Sequence, residues 1–296
     1  MAEGRLVIMP TETVYGLAAD AADPAAVARI FAAKGRPRFN PLIAHVTGLD
    51  QAGTFARLDD RALRLVEAFW PGPLTIVAPL GDSSLVCDLA RAGLDTVAVR
   101  APAHPVAQAV LWAFGRPVVA PSANRSGRPS PTTFDDAIEE TGAFVAAALD
   151  GGPCVVGLES TVVALLDGPP RLLRPGSVTR VEIEALIGPL AEAEADAGRS
   201  PGRMTRHYAP AAPVRLDAAS PLAGEAFLAF GEGPEGPGVF NLSPTGDLTR
   251  AAANLFVLLR AADRTNPTAI AVAPIPEAGL GEAINDRLRR AAGHVG

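Results

Sequence analysis

Lys34, Arg36 and Arg38 fall within five positions of one another in the segment KGRPRFNPLIAH, and Asn40 and His45 follow them. An ammonium and two planar guanidinium forks so close together suit phosphate oxygens. A solvated basic turn, favoured by the negative end of a preceding helix, would use the same residues. Further polar groups recur along the chain. Thr11, Glu12, Thr13 and Tyr15 cluster before Gly16, which permits a tight turn or a close ligand. Thr96 and Arg100 lie in the apolar stretch TVAVRAP, where an arginine needs an anionic partner or a route to solvent. That partner could equally be a structural carboxylate. The loop SANRSGRPSP carries Ser122, Asn124, Arg125, Ser126, Arg128 and Ser130, a set able to bind oxyanions and also common on surfaces. Ser160 and Thr161 open a later apolar run, and Arg174 closes RLLR. Arg203, Arg206, His207 and Tyr208 sit together near the end of an Ala-, Glu-, Gly- and Pro-rich stretch.

The elements that would position these groups alternate between short apolar runs and amphipathic segments. Asp23 and Pro24 read as an N-cap and first helical residue, Val27, Ile30 and Phe31 as an apolar face, and Gly35 as the stop. The basic cluster then lies on a proline-stiffened loop between a helix end and the strand LIAHV. Strands are expected over 5–9, 74–80, 96–102, 116–124, 144–149, 157–166 and 171–174. Helices are expected over 59–70, with Leu63, Val66 and Trp70 facing inward, and over 104–114, 134–141 and 181–187. PTETVYGLAAD reads as a polar loop after the first strand, at the strand end where α/β sheets hold ligands. This alternation argues for one α/β domain over residues 1–187. Residues 188–213 read as an extended linker. A smaller α/β unit over 214–296 follows, with strands at 227–230, 238–242 and 269–273 and helices over 247–264 and from 281 to about 292. This last unit shows no acid, base or nucleophile cluster.

Composition narrows the functional classes. The chain has 296 residues, 48% of them hydrophobic and only 5% aromatic, so its cores are expected to be packed with small aliphatic side chains. A net charge of −6 speaks against a large basic surface for nucleic acid and leaves room for a local basic pocket. Cys87 and Cys154 form no CxxC pair, which fits a reduced, cytoplasmic protein. No uncharged apolar run reaches the roughly 18 residues of a membrane span, and no signal peptide is visible. There is no GxxxxGK[ST] loop, no GxGxxG after the first strand and no GxSxG elbow, so a bound nucleotide would be held by dispersed Lys, Arg, Ser, Thr and Asn.

PTETVYGL, KGRP…NPL…H, PSAN, ESTVV, RPG and SPG…RHYAP occur in that order, and together they resemble the threonylcarbamoyl-AMP synthase family in its longer two-domain form. The resemblance covers residues 5 to about 212. It implies a twisted YrdC-like α/β domain with a large central cavity, followed by a smaller Rossmann-like α/β C-terminal domain. It implies a nucleotidyltransferase that joins L-threonine, bicarbonate and ATP into threonylcarbamoyl-AMP, with Mg²⁺ accompanying ATP. A downstream transferase then passes the threonylcarbamoyl group to tRNA next to the anticodon. Carried over by motif, Lys34 and Arg36 would handle the phosphates during catalysis. Asn40, Thr96, Ser122, Asn124, Ser130, Arg174, His207 and Tyr208 would complete the ATP contacts. Thr13, His45, Arg100, Ala120 through its backbone, and Ser160 would contact threonine. The segment around His207 would fold over the cavity as a lid. Two departures stand out. Ala164 follows ESTVV where the family commonly has Asp, and the first strand starts almost at residue 1, without the helix expected before it. The carbamoyltransferases of hydrogenase maturation share the domain but carry zinc-finger cysteines that this chain lacks. Single-domain relatives regarded as double-stranded RNA binders leave open a weak affinity at the cavity rim.

Overall fold

The carboxylate of Asp23 accepts a hydrogen bond from Ala25 N at 2.8 Å and starts α1 (Pro24–Lys34); Gly35, at φ 58°, ends it. The caps are thus the expected ones, and they deliver Lys34 and Arg36 to one place. The structure, a computed structural model, describes residues 1–36, 40–192 and 207–293. Arg38, Arg203 and Arg206 lie outside the described residues, as does much of the expected linker.

β1 (Val7–Met9) pairs antiparallel with β2 (Gly16–Asp20). The stretch read as a loop therefore contains a strand, and Thr11 to Val14 form the connection of a hairpin. After α1 come β3 (Ile43–His45), α2 (Leu49–Gly53), α3 (Asp60–Phe69), β4 (Leu74–Pro79), α4 (Asp88–Arg91), β5 (Thr96–Arg100) and α5 (Pro105–Phe114). β6 (Val118–Val119), α6 (Phe134–Thr141), β7 (Ala147–Ala148), β8 (Thr161–Ala164), β9 (Arg171–Arg174), α7 (Arg180–Ile187) and β10 (Ala191–Glu192) follow. These strands form one mixed sheet in the order β10-β9-β8-β4-β5-β3-β6-β2-β1-β7. A second, parallel sheet contains β11 (Val214–Arg215), β12 (Ala226–Ala229), β13 (Val239–Asn241) and β14 (Ile270–Val272), in the order β11-β14-β12-β13. The helices α8 (Leu248–Arg264) and α9 (Leu280–Ala291) accompany it.

Side chains alternate across a strand, and this sorts the large sheet into two faces. Ala44, Leu74, Ile76, Ala78, Val97 and Val99 join the main core with Val27, Ile30, Phe31 and Leu65 from the helices. Ile43, Val77, Ala98, Val162, Ala164 and Leu173 form a separate cluster on the opposite face. His45, Thr75, Thr96 and Arg100 share the parity of that second face. On α3 the inward residues are Ala62, Leu65 and Val66, whereas Leu63 is exposed. The helix is rotated from the expected face because Asp59 caps it and Leu65 enters the core.

The two sheets do not have separate interiors. Val14 and Leu158 from the first unit pack with Tyr208, Leu255, Phe256, Leu259 and Ile284 in the core of the second. A Cβ at Gly157 would come within 2.5 Å of Ala253 Cα, so the backbones of the two units touch there. Among the described residues, no helix is long and apolar enough to cross a membrane.

Candidate active site

β3 and β5 run parallel with His45 opposite Arg100, which brings two residues far apart in sequence onto one face. Arg100 is buried. Its Nη2 donates to Glu12 Oε1 at 2.6 Å, its Nη1 to Thr13 Oγ1 at 2.8 Å and its Nε to Gly72 O at 3.1 Å. Burial pushes the Glu12 carboxyl up, and the charge and hydrogen bond of Arg100 more than reverse this, so it is held below its usual range. The hairpin connection is itself tied down: Thr11 Oγ1 donates to Val14 O at 2.6 Å and lies 2.8 Å from Thr13 Oγ1. His45 Nδ1 is 3.1 Å from Ile43 O, a pure acceptor, so Nδ1 carries the proton. Burial, reinforced by the charge of Arg100, lowers the His45 pKa to about 3, and the ring is neutral.

Across the cavity, Arg174 donates through Nε and Nη2 to Ser160 O at 3.0 and 2.9 Å, and through Nη2 to Ser160 Oγ at 3.1 Å. Thr75 Oγ1 lies 2.7 Å from the same hydroxyl. Thr75 is fully buried on β4 and fixes the Ser160 rotamer, a role hidden in a sequence where it reads as one residue of an apolar strand. Next to Ser160, Glu159 accepts from Ser130 Oγ on Oε1 and from Arg287 Nε on Oε2 at 2.8 Å. Burial raises the Glu159 carboxyl, but Arg287 first and Arg174 second hold it below the usual range.

The basic cluster divides. Lys34 is buried and its Nζ donates to Ser122 O and Asn124 O, so it braces the loop after β6 from beneath. Burial, then the charge of Arg36, lower its pKa well below the ordinary value. Arg36 reaches the cavity; among the described residues its Nη2 makes a 3.4 Å contact to Pro41 O and its Nε has no partner. Burial lowers its pKa to about 10, and it stays charged at neutral pH.

His207 and Tyr208 close the remaining side. Ala209 N donates to Gly127 O at 2.7 Å and His207 N to Arg290 O at 3.3 Å, which pins this segment between the loop after β6 and α9. Tyr208 adopts φ 61°, packs on Phe256 with ring centroids 5.4 Å apart, and has the Arg287 guanidinium 5.4 Å from its ring centre. His207 Nδ1 is buried without a partner among the described residues, and burial lowers its pKa to about 3.

Thr13, Arg36, His45, Arg100, Ala120, Ser122, Ser160, Arg174, His207 and Tyr208 therefore line one cavity with about 590 Å³ of atom-free space, its open mouth included. Lys34, Asn40, Thr96, Asn124 and Ser130 are not among the described lining residues. Asn124 spends its amide on Arg125 O and Arg128 O at 2.8 and 2.9 Å, and Ser130 is engaged by Glu159. Thr96 shares the face of Arg100, four residues along β5, roughly 13 Å away at about 3.3 Å per residue. Glu159 lines the cavity without having been singled out as a candidate. Its signal was a carboxylate set in the apolar run GLESTVV. Among the described residues no His, Cys, Asp or Glu cluster could hold a metal ion.

Comparison with known proteins places this cavity in context. Residues 1–176 match the Sua5/YciO/YrdC family model, described as "Telomere recombination", and residues 178–293 match that of the threonylcarbamoyl-AMP synthase C-terminal domain. A threonylcarbamoyl-AMP synthase of Pyrococcus abyssi is 42% identical over 99% of this chain and 92% of its own. One from Bacillus subtilis is 38% identical over 98% and 90%. The crystal structure of P. abyssi Sua5 complexed with L-threonine superposes with a TM-score of 0.90 at 40% identity, covering 99% of this chain and 92% of that one.

Proposed function

Because this chain belongs to the threonylcarbamoyl-AMP synthase family, we propose that it joins L-threonine, bicarbonate and ATP into threonylcarbamoyl-AMP with release of pyrophosphate, supplying the modification of tRNA next to the anticodon. The observation that carries this reading is the split cavity: a pre-held Arg100 beside Thr13 and His45 at one end, and Arg36 with Arg174 at the other, with Ser160 hydrogen-bonded to Arg174. In this reading Arg100 takes the threonine carboxylate, and Thr13 and the neutral His45 take its hydroxyl. Ser160 and the backbone of Ala120 face the amine.

The amine condenses with bicarbonate to an N-carboxylate and water. One carboxylate oxygen then attacks the α-phosphorus, a P–O bond forms, and the bond to pyrophosphate breaks. No side-chain nucleophile is needed; positioning and charge stabilisation carry the step. Arg36 and Arg174 are the cations the lining offers to the phosphates, while Lys34 holds the loop that presents Ser122. The apolar face of Ile43, Val77, Ala98 and Val162 suits a purine, with Thr96 at its far edge. Mg²⁺ would be carried mainly by the phosphates, since Glu159, the carboxylate on the wall, already has both oxygens engaged. His207 and Tyr208 exclude water from a mixed anhydride that hydrolyses easily.

The test is product identification. Labelled bicarbonate incubated with the protein, ATP and threonine is expected to appear in a threonylcarbamoyl-adenylate separated by chromatography and weighed by mass spectrometry. Label that stays in bicarbonate while ATP is consumed would overturn the reading.

A further inference from the structure

The second unit, which shows no chemical cluster of its own in the sequence, sends one fully buried arginine into the wall of the cavity. Arg287 on α9 is 1% exposed and bridges two segments of the first unit. Its Nε donates to Glu159 Oε2 at 2.8 Å, its Nη1 to Pro175 O at 3.0 Å and its Nη2 to Glu159 O at 3.4 Å. Its own charge is further matched by Asp286 at 2.7 Å. Docking around it is tight. Gly157, two residues before Glu159, meets the backbone of α8. Arg260 on α8 pairs with the buried Glu140 at 3.1 Å, and Arg264 with Asp136 at 2.5 Å.

Glu159 poses an electrostatic problem that this contact solves. It is an ionised carboxylate on the wall of a cavity also lined by Arg36, Arg100 and Arg174; Arg100 is paired with Glu12, whereas Arg36 and Arg174 are hydrogen-bonded to no carboxylate among the described residues. Arg174 is close enough for its charge to act on Glu159. A buried carboxylate with an open oxygen takes the nearest cation, because leaving it unpaired is costly. Here Ser130 engages Oε1 and Arg287 engages Oε2, and Arg174 gives its hydrogen bonds to Ser160 rather than to Glu159.

We infer that Arg287 is a positioning residue by which the C-terminal unit keeps Glu159 from capturing Arg174, leaving Arg174 available to the anionic substrate. This rests on the reading of the cavity as an ATP site. Without the Arg287 charge, Glu159 turns to Arg174, Arg174 leaves Ser160, and ATP binds more weakly. Neutralising Glu159 as well removes the competitor and frees Arg174 again. A contact that only glued the two units together would behave differently: removing both partners would not restore ATP binding.

The experiment compares the unaltered full-length chain with R287M and E159Q/R287M. It reads KM for ATP in pyrophosphate release and Kd for ATP by calorimetry, with circular dichroism melts to confirm folding. R287M is expected to weaken ATP by about tenfold in both readings, the effect of roughly one charge-assisted hydrogen bond. E159Q/R287M is expected to return both to within about threefold of the unaltered chain. Unchanged values in R287M, or a double variant as impaired as the single one, overturn the inference. Should R287M fail to fold, the double variant decides: near-normal Kd supports the inference, and a tenfold weaker one overturns it. An unaltered chain that binds ATP but releases no pyrophosphate defeats the proposed reaction and leaves the Kd comparison in force. One that does not bind ATP defeats both.

Discussion

The two ends of the cavity are built in opposite ways. Around Arg100 most contacts are already made: Glu12, Thr13 and Gly72 each engage one of its three nitrogens, His45 is fixed through Ile43, and two guanidinium N–H groups are left for a ligand. Around Arg36 and His207 the polar atoms are buried but unmatched, with no partner for Arg36 Nε or His207 Nδ1 among the described residues. A pre-paired end loses little order when a small ligand arrives and can select its shape. An unmatched end gains its missing partners only when a ligand supplies them. Threonine recognition is therefore expected to depend on internal scaffolding, and ATP recognition on charges held in reserve.

Breaking the scaffolded end should have the largest effect. Arg100→Met leaves Glu12 buried without its cation, and loss of one member of such a pair costs about 3–5 kcal/mol. The urea unfolding midpoint should fall accordingly, together with threonine-dependent activity. An unchanged midpoint would mean that Glu12 does not rely on Arg100. Arg36→Ala should show the reverse pattern. Adenylate formation should slow by about ten- to a hundredfold, as for one lost charge-assisted contact of roughly 1.5–3 kcal/mol, while the midpoint barely moves. A large loss of stability without loss of turnover would erase the contrast between the two ends.

The buried histidines give a smaller, pH-dependent signature. His45 is held neutral down to about 3, against about 6.5 in an unfolded chain. Below pH 6.5 the unfolded chain binds a proton that the folded one refuses. The stability contributed by this site is therefore complete above 6.5 and declines as pH falls toward 3, by up to about 1.4 kcal/mol per pH unit. Substituting His45 with Asn should flatten the stability–pH slope in that window by up to one proton. Identical slopes would mean that the ring is accessible and ordinary. The smallest effect is expected at Thr96, at the far edge of the apolar face. Thr96→Val removes at most one neutral hydrogen bond, so KM for ATP should rise by about two- to tenfold. No change would take Thr96 out of the site.

Local signals made much of the fold legible. Asp23, Pro24 and Gly35 bound α1 as their types require, and Asp247 and the spacing of Leu255 and Leu259 mark α8. β2 escaped because GLAAD has weak strand propensity and becomes a strand only by pairing with β1. The site was legible as a set of residue types and not as a geometry. Nothing local reveals that β3 and β5 align His45 with Arg100, or that the Lys34 ammonium turns to the Ser122 and Asn124 carbonyls. Arg287 was the least visible. In NDRLRRA it reads as part of a solvated charged face, and only the docking of α9 against the first unit buries it on Glu159.

The most direct test of the whole account is pyrophosphate release from ATP with threonine and bicarbonate omitted in turn. Release that requires both is the predicted result, because the scaffolded end must be filled before the α-phosphorus has a nucleophile. Release from ATP alone, at the same rate, would contradict the account: the cavity would then be a site of simple ATP hydrolysis.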